Sequence, residues 1–294
     1  YGIDYWPKNA EVIQVDINAD RIGLTKKVTV GIEGDATKVA RAILAQLADT
    51  AGDAGREDRR NLVSLTKSRW AQELSSLDHE DDDPGTVWNE ESRQRDADLM
   101  SPRQAWRAIQ SALPKNAIIS SDIGNNCAIG NAYPTFEEGR KYLAPGLFGP
   151  CGYGFPSILG GQPDVPVVGF AGDGAFGISM NEMTACGRDN WPAITMVIFR
   201  NYQWGAEKRN TTLWYDNNFV GTELDRDTSY ARIAQACGAH GVVVKDQQSL
   251  TEELGKAVER QMKNGETTFI EIVLNQELGE PFRRDAMKKP VVVA

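Results

Sequence analysis

Residues 167–182 read VVGFAGDGAFGISMNE, and the reading of this stretch decides the fold. An apolar run, Val165–Phe170, leads into Gly172-Asp173-Gly174-Ala175-Phe176-Gly177, which fits G-x-G-x-x-G, and a helical stretch follows. Such a loop has three readings: a tight turn with no ligand, a dinucleotide-binding loop, or a phosphate site built around a metal. The dinucleotide reading has the right neighbours, and it has an acid, Asp189, near the roughly 20-residue offset the motif uses. Asp173 counts against it. A carboxylate between the glycines faces a pyrophosphate directly, and the two anions repel unless a divalent cation bridges them.

Strand-like apolar runs recur on both sides, at Ala117–Ser120, Ile194–Phe199, Val242–Val244 and Phe269–Leu274. Helical stretches separate them, at Arg103–Leu113, Ser179–Gly187, Tyr230–Ala236 and Leu250–Met262. Ser101-Pro102 supplies a cap and a first helical residue for the earliest of these. Continuous apolar strands alternating with helices predict a parallel sheet covered by helices on both faces, an α/β fold. Ligands of such sheets bind beyond the carboxyl ends of the strands. Two loops therefore share one rim: Asp122-Ile123-Gly124-Asn125-Asn126 and Gly172-Asp173-Gly174.

Upstream, strands are expected at Val12–Val15 and Val28–Ile32 and a helix at Thr37–Leu47. A small-residue break at 51–57 precedes a helix carrying Leu62, Val63, Trp70, Leu74 and Leu77 on one side. The acidic run Asp78-His79-Glu80-Asp81-Asp82-Asp83 and Pro84-Gly85 then read as a linker.

The bulk composition excludes several functions. A length of 294 residues corresponds to about two domains. A net charge of −9 argues against nucleic acid or an anionic membrane as partner, though not against a small anion. No apolar run approaches the ~18 residues of a membrane span, and no signal peptide is visible. The four cysteines, Cys127, Cys151, Cys186 and Cys237, form no CxxC and read as reduced thiols of a cytoplasmic protein. With only two histidines, the solvated His79 and the buried or strand-edge His240, a Ser-His-Asp triad or a multi-histidine metal site has no support. If the protein is an enzyme, a cofactor carries the chemistry. The chain opens at Tyr1, close to a strand, and is expected to be the C-terminal part of a longer protein.

A cation at Asp173 needs further oxygen ligands, and Mg2+ takes several of its own from substrate phosphates. The strand Ile194–Phe199 ends in Arg200-Asn201-Tyr202-Gln203-Trp204-Gly205. Neighbouring parallel strands end at one rim, so Asp173 and Asn201 can reach one ion. The neutral amide of Asn201 leaves positive charge on the metal for a diphosphate.

Gly172-Asp173-Gly174, followed by Asn201 28 positions after Asp173, resembles the diphosphate–Mg2+ motif of thiamine-diphosphate enzymes. Their pattern ends in two asparagines, and the first is Arg200 here. The resemblance implies Asp173 and Asn201 as metal ligands through side chains and Gln203 through its carbonyl. It implies diphosphate contacts at Gly174, Ala175 and Gly205. Gly149-Pro150-Cys151-Gly152-Tyr153-Gly154-Phe155-Pro156 resembles the family stretch that props the bent cofactor, with Cys151 in the place of a bulkier apolar residue. Ile123, Gly124, Asn125 and Asn126 match the loop at the other end of the diphosphate, although as isolated residues the asparagines read as turn formers.

Met180–Cys186, Asn201–Asn210 and the tail Glu280–Ala286 resemble the sulfoacetaldehyde acetyltransferase branch of that family. This implies conversion of sulfoacetaldehyde and phosphate into acetyl phosphate and sulfite, in taurine and sulfonate breakdown. An acetolactate-synthase-like carboligase or a 2-oxoacid decarboxylase is the alternative, and a non-catalytic remnant a third reading. Arg200, Lys208, Arg209, Arg283 and Arg284 are candidates for binding the two substrate anions, with a solvated surface cation as the plain alternative for each and a structural ion pair as a further one for Arg200. The resemblance further implies an end of a central α/β domain at 1–55, a helix and acidic linker at 56–100, and the diphosphate-binding domain at 101–294. It implies an activating glutamate upstream of this chain, and a homodimer or homotetramer in which another subunit's pyrimidine-binding domain completes the site.

Overall fold

The computed structural model describes residues 9–47, 55–77, 90–136, 139, 141–161, 164–188 and 191–278. The acidic run with His79, Asp189 and the basic tail from Glu280 lie outside them. The chain divides into two compact units, Tyr1–Gln72 and Glu73–Ala294.

In the first unit, β1 (Ile13–Asp16) and β2 (Val30–Glu33) pair in parallel, and α1 (Ala36–Leu47) follows. Both strands lie slightly downstream of the apolar runs that announce them. Helix α2 (Arg56–Leu77) opens with Glu57 and Asp58, which suit the positive end of the helix dipole. The apolar stripe expected on it forms only in part: Trp70 is half-buried and Leu74, past the boundary of this unit, is buried. Leu62, Val63 and Leu65 are exposed, because Arg59, Arg60, Lys67 and Arg69 spread charge around the helix.

In the second unit the elements after α3 (Glu90–Arg95) and α4 (Pro102–Ala112) run β3 (Ile118–Ser121), α5 (Asn125–Gly130), β4 (Tyr142–Leu143), β5 (Val167–Gly172) and α6 (Asp173–Ser179). They continue as β6 (Thr195–Arg200), α7 (Gly205–Trp214), α8 (Tyr230–Ala236), β7 (His240–Val244), α9 (Gln247–Asn264) and β8 (Thr268–Val273). The sheet order is β4-β3-β5-β6-β8-β7, and every pairing is parallel. From β3 the chain steps to β4 on one side, and it then returns to β5 on the other. The loops after β3 and β5 thus lead away from each other and open a crevice between them, the switch point where α/β sheets bind ligands.

The strands are buried on both faces, with the period of two that a pleated strand imposes. Val168 and Phe170 of β5, Val197 and Phe199 of β6, and Ile270 and Ile272 of β8 face α4 and α9. Val167, Ala171, Met196, Ile198 and Phe269 face Phe155, Phe176, Met183 and Tyr230 on the opposite side. Trp106 of α4 joins this core to the rim. Its ring lies 4.7 Å from Phe170 and 5.1 Å from Phe199, and its Nε1 donates to the Asn126 carbonyl at 2.7 Å. Any Cβ at Gly130 would lie 2.1 Å from this indole, so α5 packs there only with glycine.

The helix expected at Ser179–Gly187 instead begins earlier, as α6, and passes into a 3-10 helix over Met180–Ala185. Glycines Gly174 and Gly177 hide its start. His240 is half-exposed at the head of edge strand β7, with Nε2 3.0 Å from Glu266 Oε2.

Candidate cofactor site

Gly172 closes β5 and Asp173 opens α6, so the strand-to-helix turn has no loop residues of its own. Gly174 is required by packing: a Cβ there would sit 2.8 Å from the Trp204 ring. Asp173 is 1% exposed. Its Oδ2 accepts from the Tyr202 N–H at 2.7 Å and its Oδ1 from the Gly174 N–H at 3.0 Å. Burial pushes its carboxyl up to about 7, against the opposing pull of the Tyr202 N–H and the Arg200 guanidinium.

Strand β6 ends beside it, with Phe199 opposite Gly172. Tyr202 then takes a left-handed backbone conformation, φ 61, which is costly for a residue with a side chain. The surroundings enforce it. The Tyr202 ring lies against the guanidinium carbons of Arg200 at 4.6 Å and Arg226 at 4.3 Å, and its N–H is held by Asp173. Gln203 forms an antiparallel bridge with Glu223, flanked by Trp204 N–H to Thr222 O at 2.8 Å and Leu224 N–H to Tyr202 O at 2.8 Å. In such a pair the central residue turns its own carbonyl away from the partner strand. The Gln203 side chain is held separately, accepting from Lys208 Nζ at 3.1 Å and donating to the Gln276 carbonyl at 3.0 Å.

At the end of β3, Asp122 is buried and accepts three backbone N–H groups: Ile123 at 2.8 Å, Gly152 at 3.2 Å and Gly154 at 2.6 Å. Burial raises its pKa and these N–H groups oppose the rise. One carboxylate thereby pins the Gly149–Gly154 loop to the rim. Gly124 then adopts φ 128 and starts α5, so Asn125 and Asn126 are buried helical residues and not turn formers. Asn125 Nδ2 donates to the Leu278 carbonyl at 3.0 Å.

These three strand ends enclose a cavity of about 150 Å³. That is below the roughly 300–1,000 Å³ of a pocket that surrounds a whole drug-sized ligand, so the described residues form a cradle for part of one. Every residue read as a cofactor contact lines it: Ile123, Gly124, Asn125, Asn126, Gly149, Cys151, Asp173, Gly174, Ala175, Asn201, Gln203 and Gly205. Cys127, Gly172, Trp204, Ala206 and Glu207 line it as well. Asp122 behind the cradle and Trp204 against Gly174 were not singled out from sequence, because only the fold brings them there. Burial raises the Cys151 thiol and pushes Cys127 up to about 12, so neither is a ready nucleophile.

The helices α5, α6 and α7 all begin at this cavity on N-cap residues that make no side-chain cap bond, although in α6 the Gly174 N–H goes to Asp173 Oδ1. Uncapped N–H groups converging on one space suit an anion. Among the described residues no cluster of three His, Cys, Asp or Glu side chains could hold a metal. A cation here would take one carboxylate with amide and carbonyl oxygens, the hard donor set that Mg2+ accepts.

Of the basic candidates among the described residues, Arg200, Lys208 and Arg209 do not line the cavity. Arg200 is buried, and its Nη2 donates to the carbonyls of Asp225 at 2.6 Å and Thr228 at 2.8 Å. Lys208 is buried and donates to Gln203 and, at 2.5 Å, to Glu223 Oε1. Arg209 is half-buried on α7, and Arg283 and Arg284 lie outside the described residues.

A family model described as "Thiamine pyrophosphate enzyme, C-terminal TPP binding domain" matches residues 122–272, just over half of the chain. The chain is 76% identical over 297 residues to the "Probable sulfoacetaldehyde acetyltransferase" of Rhizobium meliloti, covering 100% of this chain and 50% of that protein. It is 70% identical to the sulfoacetaldehyde acetyltransferase of Roseovarius nubinhibens, covering 100% of this chain and 49% of that protein. Similarity to the acetolactate synthase large subunit of Corynebacterium glutamicum is distant, 28% over 233 residues, with 78% of this chain and 34% of that protein covered. The chain spans about half the length of the curated relatives it matches. The match begins at Asp122, the residue that pins the rim, and runs through all three strand ends of the cradle, so this chain belongs to the thiamine pyrophosphate enzymes and carries their C-terminal TPP-binding domain.

Proposed function

We propose that the intact protein is a thiamine-diphosphate- and Mg2+-dependent acyltransferase that converts sulfoacetaldehyde and phosphate to acetyl phosphate and sulfite. The observation that carries this reading is identity of 76% and 70% across the whole chain to proteins named for that activity. When bound, the cofactor supplies the electron sink that makes cleavage next to a carbonyl carbon feasible.

In this reading Asp173 and Asn201 hold the cation through their side chains and Gln203 through its carbonyl. Backbone groups at the starts of α6 and α7, at Gly174, Ala175 and Gly205, contact the diphosphate, and Ile123–Asn126 close its other end. Cys151 flanks the cofactor. It fills less space there than a larger apolar side chain, so the Gly149–Gly154 backbone pinned by Asp122 does part of the propping. Arg200 and Lys208 are buried away from the cavity lining and donate to Asp225, Thr228, Gln203 and Glu223, so they suit the substrate anions less. Arg209, Arg283 and Arg284 are the candidates carried forward for the sulfonate and phosphate.

The same reading assigns residues 1–55 to the end of a central domain, 56–100 to a helix and linker, and 101–294 to the diphosphate-binding domain. It also assigns the activating glutamate to a pyrimidine-binding domain of another subunit in a homodimer or homotetramer, and the protein to cytoplasmic sulfonate catabolism. The test is sulfite release by the intact protein given sulfoacetaldehyde and phosphate, with pyruvate run in parallel. Release that requires phosphate is expected. Turnover of pyruvate without sulfite release from sulfoacetaldehyde would replace this reading with the carboligase one.

A further inference from the structure

Arg200 is the last residue of β6 and is 1% exposed. Its guanidinium has two carboxylate neighbours, Asp173 Oδ2 at 3.7 Å and Glu271 Oε1 at 3.3 Å. Its central carbon lies over the Tyr202 ring at 4.6 Å and over the Tyr230 ring at 5.0 Å. Its Nη2 holds the carbonyls of Asp225 and Thr228. The partners are themselves fixed. Glu271 Oε2 accepts from Ser229 Oγ at 2.8 Å and from the Ala231 N–H at 2.9 Å, and Tyr230 Oη donates to the Asp173 carbonyl at 3.0 Å.

One cation thus joins three things: the Asp173 carboxylate, the end of β6 that leads to Asn201 and Gln203, and the segment 225–231. It approaches the same oxygen, Oδ2, that accepts the Tyr202 N–H, whereas Oδ1 has only the N–H of adjoining Gly174. Two carboxylates and one guanidinium also leave the cluster with one net negative charge, which a divalent cation reverses. An anion clamp needs donors aimed into the cavity, and Arg200 does not line it.

We propose that Arg200 is a positioning residue of the cation site: from outside the cavity it fixes the Asp173 carboxylate and locks the Asn201–Gln203 turn to the 225–231 segment, so that the ligands are set before the cation arrives. This rests on the cofactor reading above.

The test is calorimetric titration of the intact protein with thiamine diphosphate at a series of Mg2+ concentrations, beside its melting temperature without either. Arg200→Gln is the direct variant. A single deletion strands two buried acids and can unfold the protein. The double variant Arg200→Gln/Glu271→Gln removes one charge of each sign, and Arg200→Lys keeps the charge without the planar fork. Folded variants are expected to need about 10- to 100-fold more Mg2+ for the same cofactor occupancy, as for other groups that orient metal ligands, with Arg200→Lys recovering only part. A folded double variant with the wild-type Mg2+ requirement overturns the proposal and leaves Arg200 as core filling. So does a raised KM for phosphate or sulfoacetaldehyde at an unchanged Mg2+ requirement. A wild type that binds thiamine diphosphate without regard to Mg2+ removes the cofactor reading and this inference with it.

Discussion

Helices α4, α8 and α9 differ from α5, α6 and α7 in how they begin. The first three are closed by side chains: Ser101 in a reciprocal capping box with Gln104, Ser229 accepting from the Arg232 N–H, and Asp246 accepting from the Ser249 N–H. The other three begin on Gly124, Gly172 and Trp204 and have no side-chain cap. The first N–H groups of every helix lack partners inside it. Where those groups only need satisfying, the sequence supplies an oxygen from the chain itself. Where α5, α6 and α7 meet the cavity, no side chain caps the start, and in the reading proposed above a ligand takes that part. Uncapped helix starts at one rim are the pattern an anion site would need, and capped ones satisfy their own N–H groups.

Several variants break or sharpen this contrast. The largest effect is expected from Asp173→Asn, which removes the carboxylate between the uncapped starts of α6 and α7. It is expected to abolish Mg2+-dependent thiamine diphosphate binding in calorimetry while the protein stays folded, since the change also removes a buried charge.

Gly174→Ala comes next. The added methyl meets the Trp204 ring at 2.8 Å, so the ring or the turn must move. A stability loss of about 1–3 kcal/mol in urea unfolding is expected, with weaker cofactor binding.

Asp122→Ala leaves the buried N–H groups of Gly152 and Gly154 without their acceptor. It is expected to cost about 1–3 kcal/mol per stranded group at most and to loosen the Gly149–Gly154 loop, read as faster amide exchange there.

At the capped helices the effect is smaller and of another kind. Ser101→Ala and Asp246→Ala should each lose about 1 kcal/mol of stability with cofactor affinity unchanged. A change of affinity in either would blur the distinction drawn between the two sets.

A pH series gives a milder signal. The Asp173 carboxyl is raised to about 7 in the folded protein without a cation, so below that value it holds a proton the unfolded chain would release. Its protonation stabilises the metal-free fold at low pH, and that contribution is lost as pH rises towards about 7. Mg2+ competes with the same proton, so cation affinity should rise with pH and level off above about 7. Titrations between about pH 6 and about pH 8 would show this, and a flat profile would contradict it.

Much of the second unit was legible because its signals are local. Apolar runs announce β3, β5, β6, β7 and β8, and Ser101-Pro102 announces α4. The cavity lining was legible because its residues sit next to the glycines and strand ends that position them. Helices α5 and α7 were not, since Asn125-Asn126 and Gly205-Ala206 carry turn or cavity chemistry where a helix start normally carries a cap. An ion pair was one reading of Arg200 from sequence, but the partners of Arg200 and Lys208 were hidden. A sequence shows their charge and not their partners, and Glu271, Asp225 and Glu223 come to them only through the sheet and the 222–231 segment. The apolar pattern of α2 misled because Leu62 and Val63 follow a helical stripe that the surrounding charges interrupt.

The central claim is that the cradle accepts a diphosphate only through a cation shared by Asp173, Asn201 and Gln203. The most direct measurement is calorimetric titration of the intact protein with thiamine diphosphate, with Mg2+ and again with a chelator, beside thiamine lacking phosphates. Saturable binding that needs both the metal and the diphosphate is the predicted result. Equal binding in the presence of chelator, or equal binding of unphosphorylated thiamine, would contradict it.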